Sequence, residues 1–161
     1  MDTPIRRPEE ILAYRSLRRI LASKPKALWT VSPTDSVLTA VQIMSEKDVG
    51  LLVVMEREKL VGVLSERDCA RRVLLAKKSP ESTPVADVMV RKVVTIDAEY
   101  TFADCLRLMH QHSIRHLPVV EHDQVVAVVS IRDLLSEAVT HNAKIIEELE
   151  RERLTMFTST A

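Results

Sequence analysis

The stretch "LVGVLSERD", Leu60–Asp68, returns as "VVAVVSIRD", Val125–Asp133, 65 positions further on. Each is an apolar run that ends in Ser, two further residues and Asp. The same shift aligns Thr30–Asp68 with Thr95–Asp133 without a gap. It pairs identical residues at Thr30/Thr95, Met44/Met109, Leu52/Leu117, Val54/Val119, Val61/Val126, Val63/Val128, Ser65/Ser130, Arg67/Arg132 and Asp68/Asp133. Apolar character agrees more widely still, as at Val37/Phe102, Ala40/Cys105 and Val41/Leu106. An ungapped register of this length marks a tandem duplication, and a repeat has to be found before any other organisation is read.

Within each copy the periodicities define elements. "SVLTAVQIMSEK" places Val37, Leu38, Val41 and Met44 on the i, i+1, i+4, i+7 stripe of a helix lying on a core. "LLVVM" and "LVGVL", separated by the charged "EREK", read as a hairpin of two short strands. Their unbroken apolar character predicts burial on both faces. "SERDCARRVLLAKK" continues as a helix, and short strands are predicted at "LWTV" and "VVTI". Each copy is therefore βαββα. The fold class is α/β (α+β), with two tandem units and flanking helices.

The expected boundaries are an N-terminal segment at 1–14, a first repeat at 15–78, a linker at 79–84, a second repeat at 85–140, and a C-terminal helix and tail at 141–161. "KKSPESTP" has the composition of an exposed connection. A helix is predicted from about Glu9 to Ala22. A long one follows Ile131, where Leu135, Val139, Ile146 and Leu149 fall near a 3.5-residue repeat interrupted by Asn142. That seam has two readings, a partner helix or packing on the chain's own core. The tail "TMFTSTA" is expected to fray.

Composition narrows the function. The 161 residues are 46% hydrophobic and 29% charged, with 23 Lys plus Arg balancing 23 Asp plus Glu. That balance removes the simplest electrostatic argument for nucleic acid or an anionic membrane. Few aromatics are present (Tyr14, Trp29, Tyr100, Phe102 and Phe157), so a base-stacking platform for single strands is unsupported. The N-terminus shows no secretory h-region and the apolar runs are too short to span a bilayer, so the expected location is cytoplasmic. Cys69 and Cys105 form no CxxC pair and read as reduced, buried small hydrophobes.

Ser-x-x-Asp at a strand-to-helix junction has a purely local reading. It resembles a capping box, which satisfies orphan amides at a helix start. The alternative is chemical: Asp is an acceptor suited to vicinal ribose hydroxyls, and Ser takes either role. A helix start also favours anions.

The duplicated βαββα unit, "GVLSERD" and "AVVSIRD" against the pattern G-h-x-[ST]-x-x-[DN], and "RHLPVV" in the second copy resemble a tandem cystathionine-β-synthase (CBS) domain pair, or Bateman module. The resemblance covers roughly residues 15–140. It implies two units about a pseudo-two-fold axis, with two clefts that take adenosine compounds such as AMP, ATP, NAD or S-adenosylmethionine. By position it assigns ribose hydroxyls to Asp68 and Asp133, with support from Ser65 and Ser130. Backbone at Thr30–Val31 and Thr95–Ile96 would meet the adenine edge, and Val53, Val63, Pro118 and Val128 would enclose the base. Arg115 and His116, with Arg67, Arg71 and Arg132, are the phosphate candidates. The copies differ at Gly62 against Ala127 and at Gly50–Leu51 against Arg115–His116, so the sites are not equivalent.

Other constellations carry less. His110, His112 and His116 share no face and lack a completing ligand, so no metal is assigned. Neither Ser lies in a nucleophile elbow, and no enzyme is inferred. Arg71, Arg72, Lys77 and Lys78 read as a solvated helix face, with Arg71 pointing to phosphate as the other reading. Trp29 reads as a core residue or as a stacking residue at the rim. The expectation is a regulatory module, homodimeric, that binds an adenosine nucleotide and acts on an unidentified regulated protein. The competing expectation is a ligand-free docking scaffold.

Overall fold

The computed structural model describes residue 12, residues 15–24 and residues 27–158, with side chains through residue 151. The predicted start of the N-terminal helix before residue 12, Tyr14, the side chain of Phe157 and the last three residues lie outside the described residues. In chain order come α1 (Leu17–Ala22), β1 (Thr30–Val31), α2 (Val37–Lys47), β2 (Leu51–Glu56), β3 (Lys59–Ser65) and α3 (Glu66–Cys69), then α4 (Phe102–His112), β4 (His116–Glu121), β5 (Gln124–Ser130) and α5 (Ile131–Thr158). Thr155–Thr158, expected to fray, are helical.

The duplication is visible in the backbone down to its strained residues. α2 ends on Asp48 and α4 on Ser113, both left-handed at φ 50° and 53°. The β2–β3 turn holds Arg57 and Glu58 at φ 48° and 64°, and the β4–β5 turn holds His122 and Asp123 at 49° and 61°. Two positive-φ residues in succession give a turn whose twist matches the strands it joins. Neither turn uses Gly or Asn, the residues that adopt this conformation at least cost.

β1 runs parallel to β2, with Val31 opposite Val54, and β2 is antiparallel to β3. In the second copy the pairing shrinks to one parallel bridge, Ile96 with Val119, at the equivalent register. The predicted "VVTI" strand is thus a single bridge. Leu52, Val53 and Val54 have no exposed surface, as expected for a strand covered on both faces. The helix stripe differs from expectation. Val37, Ala40 and Met44 are buried on α2, and Phe102, Cys105 and Met109 on α4, while Val41 and Leu106 are exposed. The inward face follows i, i+3, i+7.

The chain groups into two compact units that cut across the copies. One takes residues up to 24, 98–115 and 129 onward; the other takes 25–97 and 116–128. The hydrogen bonding explains the grouping. In one unit, Val37 N–H donates to Thr83 O, Val85 N–H to Asp35 O and Ala86 N–H to Pro33 O. In the other, Phe102 N–H donates to Arg15 O, Leu17 N–H to Tyr100 O and Arg18 N–H to Ala98 O. Phe102, Tyr100 and Ala98 each lie one repeat beyond Val37, Asp35 and Pro33, whereas their partners Arg15, Leu17 and Arg18 precede the first copy. Arg15–Lys24 therefore does for the second copy what the segment from Thr83 does for the first. Within the linker read as exposed, Thr83 is buried, and just beyond it Val85 and Val88 have no exposed surface.

In the first-named unit, α1 and α4 both pack on α5, with Leu17, Ile20, Cys105 and Leu134 inward. The seam residues Leu135, Val139, Ile146 and Leu149 are all more than half exposed, so they do not serve that core.

α3 departs from the long helix predicted there. After four α-helical residues the winding widens into a π turn, Ala70–Leu74, closed by Leu75 N–H to Ala70 O. Arg72, read as solvated, donates to Val88 O at 2.9 Å and Met89 O at 3.3 Å, while Val73 turns inward.

Candidate functional site

Both Ser-x-x-Asp junctions are complete capping boxes. In the first, Asp68 N–H donates to Ser65 Oγ at 3.2 Å, Ser65 N–H to Asp68 Oδ2 at 3.1 Å, and Ser65 Oγ to the same oxygen at 2.5 Å. In the second, the corresponding distances are 3.2, 2.8 and 2.9 Å. The boxes satisfy amides that a helix start leaves without partners. A third box, Thr101 with Asp104, has the same geometry at the start of α4. No apolar run leads directly into Thr-x-x-Asp there, so the sequence does not mark this box as it marks the other two. Its presence shows that the pattern by itself is a cap.

What separates the two strand-end boxes is charge. Lys24 Nζ donates to Asp133 Oδ2 at 2.6 Å, whereas Asp68 has Arg72 Nε at 4.0 Å from its Oδ1. Burial pushes the Asp133 carboxyl upward. The Lys24 hydrogen bond and charge, with the Ser130 amide and hydroxyl, outweigh it and hold the pKa below the ordinary aspartate value. Lys24 had no signal in the sequence, being 109 positions from its partner.

Around the first junction the unit gathers Gly50, Glu66 and His116. A Cβ on Gly50 would stand 3.4 Å from both Glu66 Oε2 and His116 Cε1. Glu66 N–H donates to Gly50 O at 3.1 Å, which fixes the helix start on the end of β2. Of the two residues predicted as phosphate candidates, His116 stands beside Gly50, and the Arg115 carbonyl accepts from Ile131 N–H at 2.8 Å.

The other predicted residues divide by exposure. Thr30 and Thr95 are exposed beside buried Val31 and Ile96, the same alternation in both copies. Ile96 N–H and C=O are both committed, to Pro118 O and Val120 N–H. Val53 has no exposed surface and Pro118 is buried, so both serve as core; Val63 and Val128 are half-buried. Arg71, Arg115 and Arg132 are exposed and Arg67 half-buried. Trp29, read either as a core residue or as a stacking residue at the rim, is 37% exposed, with Lys47 Nζ 4.6 Å from its ring centroid.

Gly62 answers to the chain itself. A Cβ there would meet Met89 Sδ at 2.8 Å and the Val90 carbonyl oxygen at 2.9 Å. The glycine admits the segment that bridges Val63 to Val90.

Cys69 and Cys105 are free and buried. Burial, reinforced by the neighbouring Asp68 and Asp104 charges, pushes each thiol up to about 11. Among the described residues no group of three or more His, Cys, Asp or Glu is placed to hold a metal ion, and no helix is long and apolar enough to cross a membrane.

A CBS-domain family profile matches residues 17–75 and 85–140. The chain belongs to the CBS-domain family, as a tandem pair. It is 33% identical over 158 residues to the mitochondrial CBS domain-containing protein CBSX3 of Arabidopsis thaliana, covering 92% of this chain and 75% of that one. It is 36% identical over 105 residues to CBS domain-containing protein YhcV of Bacillus subtilis, covering 65% and 74%. Among solved structures, a putative signal-transduction protein with CBS domains from Burkholderia ambifaria superposes with a TM-score of 0.76 at 33% identity, over 78% of this chain and 94% of that one. The CBS-domain structure of NE2398 gives 0.75 at 37% identity, over 78% and 98%.

Proposed function

We propose that this chain is a regulatory module that binds an adenosine nucleotide of the AMP, ATP or NAD type and passes the change to a partner protein. The observation that carries the reading is the first strand-end junction. There Asp68 spends one carboxylate oxygen, Oδ2, on its capping box and has Oδ1 outside it, 4.0 Å from Arg72 Nε, on a helix whose first residue, Glu66, lies beside Gly50. An acceptor oxygen of this kind suits ribose hydroxyls, and a helix start with nearby cations suits phosphate. Ligand acts by differential affinity, drawing the population toward the arrangement it binds best. Dimerisation belongs to the same reading. The exposed seam of Leu135, Val139, Ile146 and Leu149, at coiled-coil spacing, offers a second copy a face to cover.

A thermal-shift panel of AMP, ADP, ATP, NAD, NADH and S-adenosylmethionine, with GMP as control, tests it. A ligand at about a hundred times its dissociation constant adds roughly 2.7 kcal/mol, or several degrees at about 2–4 °C per kcal/mol. The expected result is a shift with adenosine compounds that GMP does not produce and Asp68→Ala diminishes. The second reading, a ligand-free docking scaffold, is favoured by the third box at Thr101 and Asp104, which caps a helix with no strand end before it. A flat panel, from protein free of co-purified nucleotide, would decide for the scaffold.

A further inference from the structure

The segment Arg15–Lys24 ends on a charge that the duplication does not account for. Lys24 and Asp133 are each about three-quarters buried, with side chains 27% and 25% exposed. The Asp133 oxygen that meets Lys24 already accepts from the Ser130 amide and hydroxyl. Three donors converge on one carboxylate oxygen, which has two lone pairs to offer. At the first junction the corresponding oxygen of Asp68 takes the Ser65 pair, and the residue that matches Lys24 in the other covering segment, Lys92, is exposed.

The same segment is fastened to α5 a second time. Arg15 donates to the Glu137 carboxylate and, through its other terminal nitrogen, lies 3.1 Å from His141 Nδ1, on a histidine that is buried. Backbone hydrogen bonds hold Leu17 and Arg18 to Tyr100 and Ala98. Arg15–Lys24 is thus a strap with ionic fasteners near both ends, one of which sits on the carboxylate of the second junction.

The geometry points to Lys24 as a built-in occupant of that junction, so that the vicinal hydroxyls of a nucleoside reach Asp133 only by displacing it, and displacement unfastens the strap from α5. The strap itself follows from the contacts above; the displacing ligand rests on the nucleotide reading. The two junctions then differ in kind. The first takes ligand directly, whereas the second takes it only by releasing a piece of the chain. A junction held shut nine-tenths of the time binds about tenfold more weakly than an open one.

Two measurements on the full chain separate the strap from its ligand. The first uses no nucleotide: hydrogen exchange at the amides of residues 17–24 in wild type, Lys24→Met and Asp133→Asn. Faster exchange there in both variants, with the linker amides of residues 85–90 unchanged, is expected. Unchanged exchange at residues 17–24 overturns the strap. The second is calorimetric titration with AMP in an Asp68→Ala background, which leaves the second junction to be read alone. Adding Lys24→Met should tighten binding about tenfold or more, while Lys24→Arg, which keeps the charge, should not. Unchanged binding on adding Lys24→Met overturns the displacement. So does weaker binding, which would make Lys24 a ligand for phosphate. Where AMP binds to no form, wild type included, the same titration is run with ATP and NAD; binding of none of the three fells the nucleotide reading and the displacement with it, while exchange still decides the strap.

Discussion

The two strand-end junctions began as copies of one another and have come to hold their aspartates differently. Both keep the same capping box, and both start a helix at the same register of the repeat. At the first the carboxylate has an arginine at 4.0 Å; at the second an ammonium lies at 2.6 Å, delivered by a segment outside the aligned repeat. The covering segments are alike in backbone hydrogen bonding and carry a lysine at the matching position, so the difference lies in placement: Lys24 reaches its carboxylate, whereas Lys92 is exposed. Duplication preserves what the backbone needs. It leaves the charges at the edge of each junction open to change.

The largest effect tests whether the covering segments are equivalent as core. Leu17 has no exposed surface although it lies outside the aligned run. Leu17→Ala should cost about 2–5 kcal/mol in urea unfolding. A loss below about 1 kcal/mol would deny that the N-terminal strap is structural. Next comes Gly62, crowded by a backbone oxygen, against Ala127, which already carries the methyl. Gly62→Ala should destabilise by about 1–3 kcal/mol, since the Val90 carbonyl has to move. Equal stability of wild type and variant would mean that the covering segment yields freely.

The capping boxes sharpen the comparison further. Ser65→Ala, Thr101→Ala and Ser130→Ala should each lose about 0.5–2 kcal/mol. Thr101→Ala should leave any nucleotide response intact and so serves as the control for the other two. Smaller still is the acid response of the second junction. Asp133 is held below its ordinary pKa, so its contribution is complete above the unfolded value and lost as pH falls toward and through the lowered one. The stability gap between wild type and Lys24→Met should therefore narrow on acidification below about pH 4. A gap that stays constant through that range would remove the ion pair as its source.

Much of this was legible from the sequence. The 65-residue register placed both hairpins, both junction helices and the burial of β2, because side-chain period and apolar runs are local properties. Three things were not legible. Val41 and Leu106 fit a helical stripe as well as Ala40 and Cys105 do, and only packing chose the smaller residues for the inward face. The paired left-handed residues at 57–58 and 122–123 carry no Gly or Asn to announce them. Lys24 and Asp133 meet through the tertiary fold, across 109 positions, where no periodicity reaches.

The exchange of covering segments also has a consequence for biosynthesis. The unit built from residues 25–97 and 116–128 has all its parts once the ribosome has passed Val128. The other joins Arg15–Lys24 to α4 and α5, so that segment emerges before its partners and waits for them. Domains that gather early can fold during synthesis, whereas pairing the two ends of a chain raises contact order and slows folding. Arg15–Lys24 is thus translated before the rest of its unit and is the last part of it to find its place.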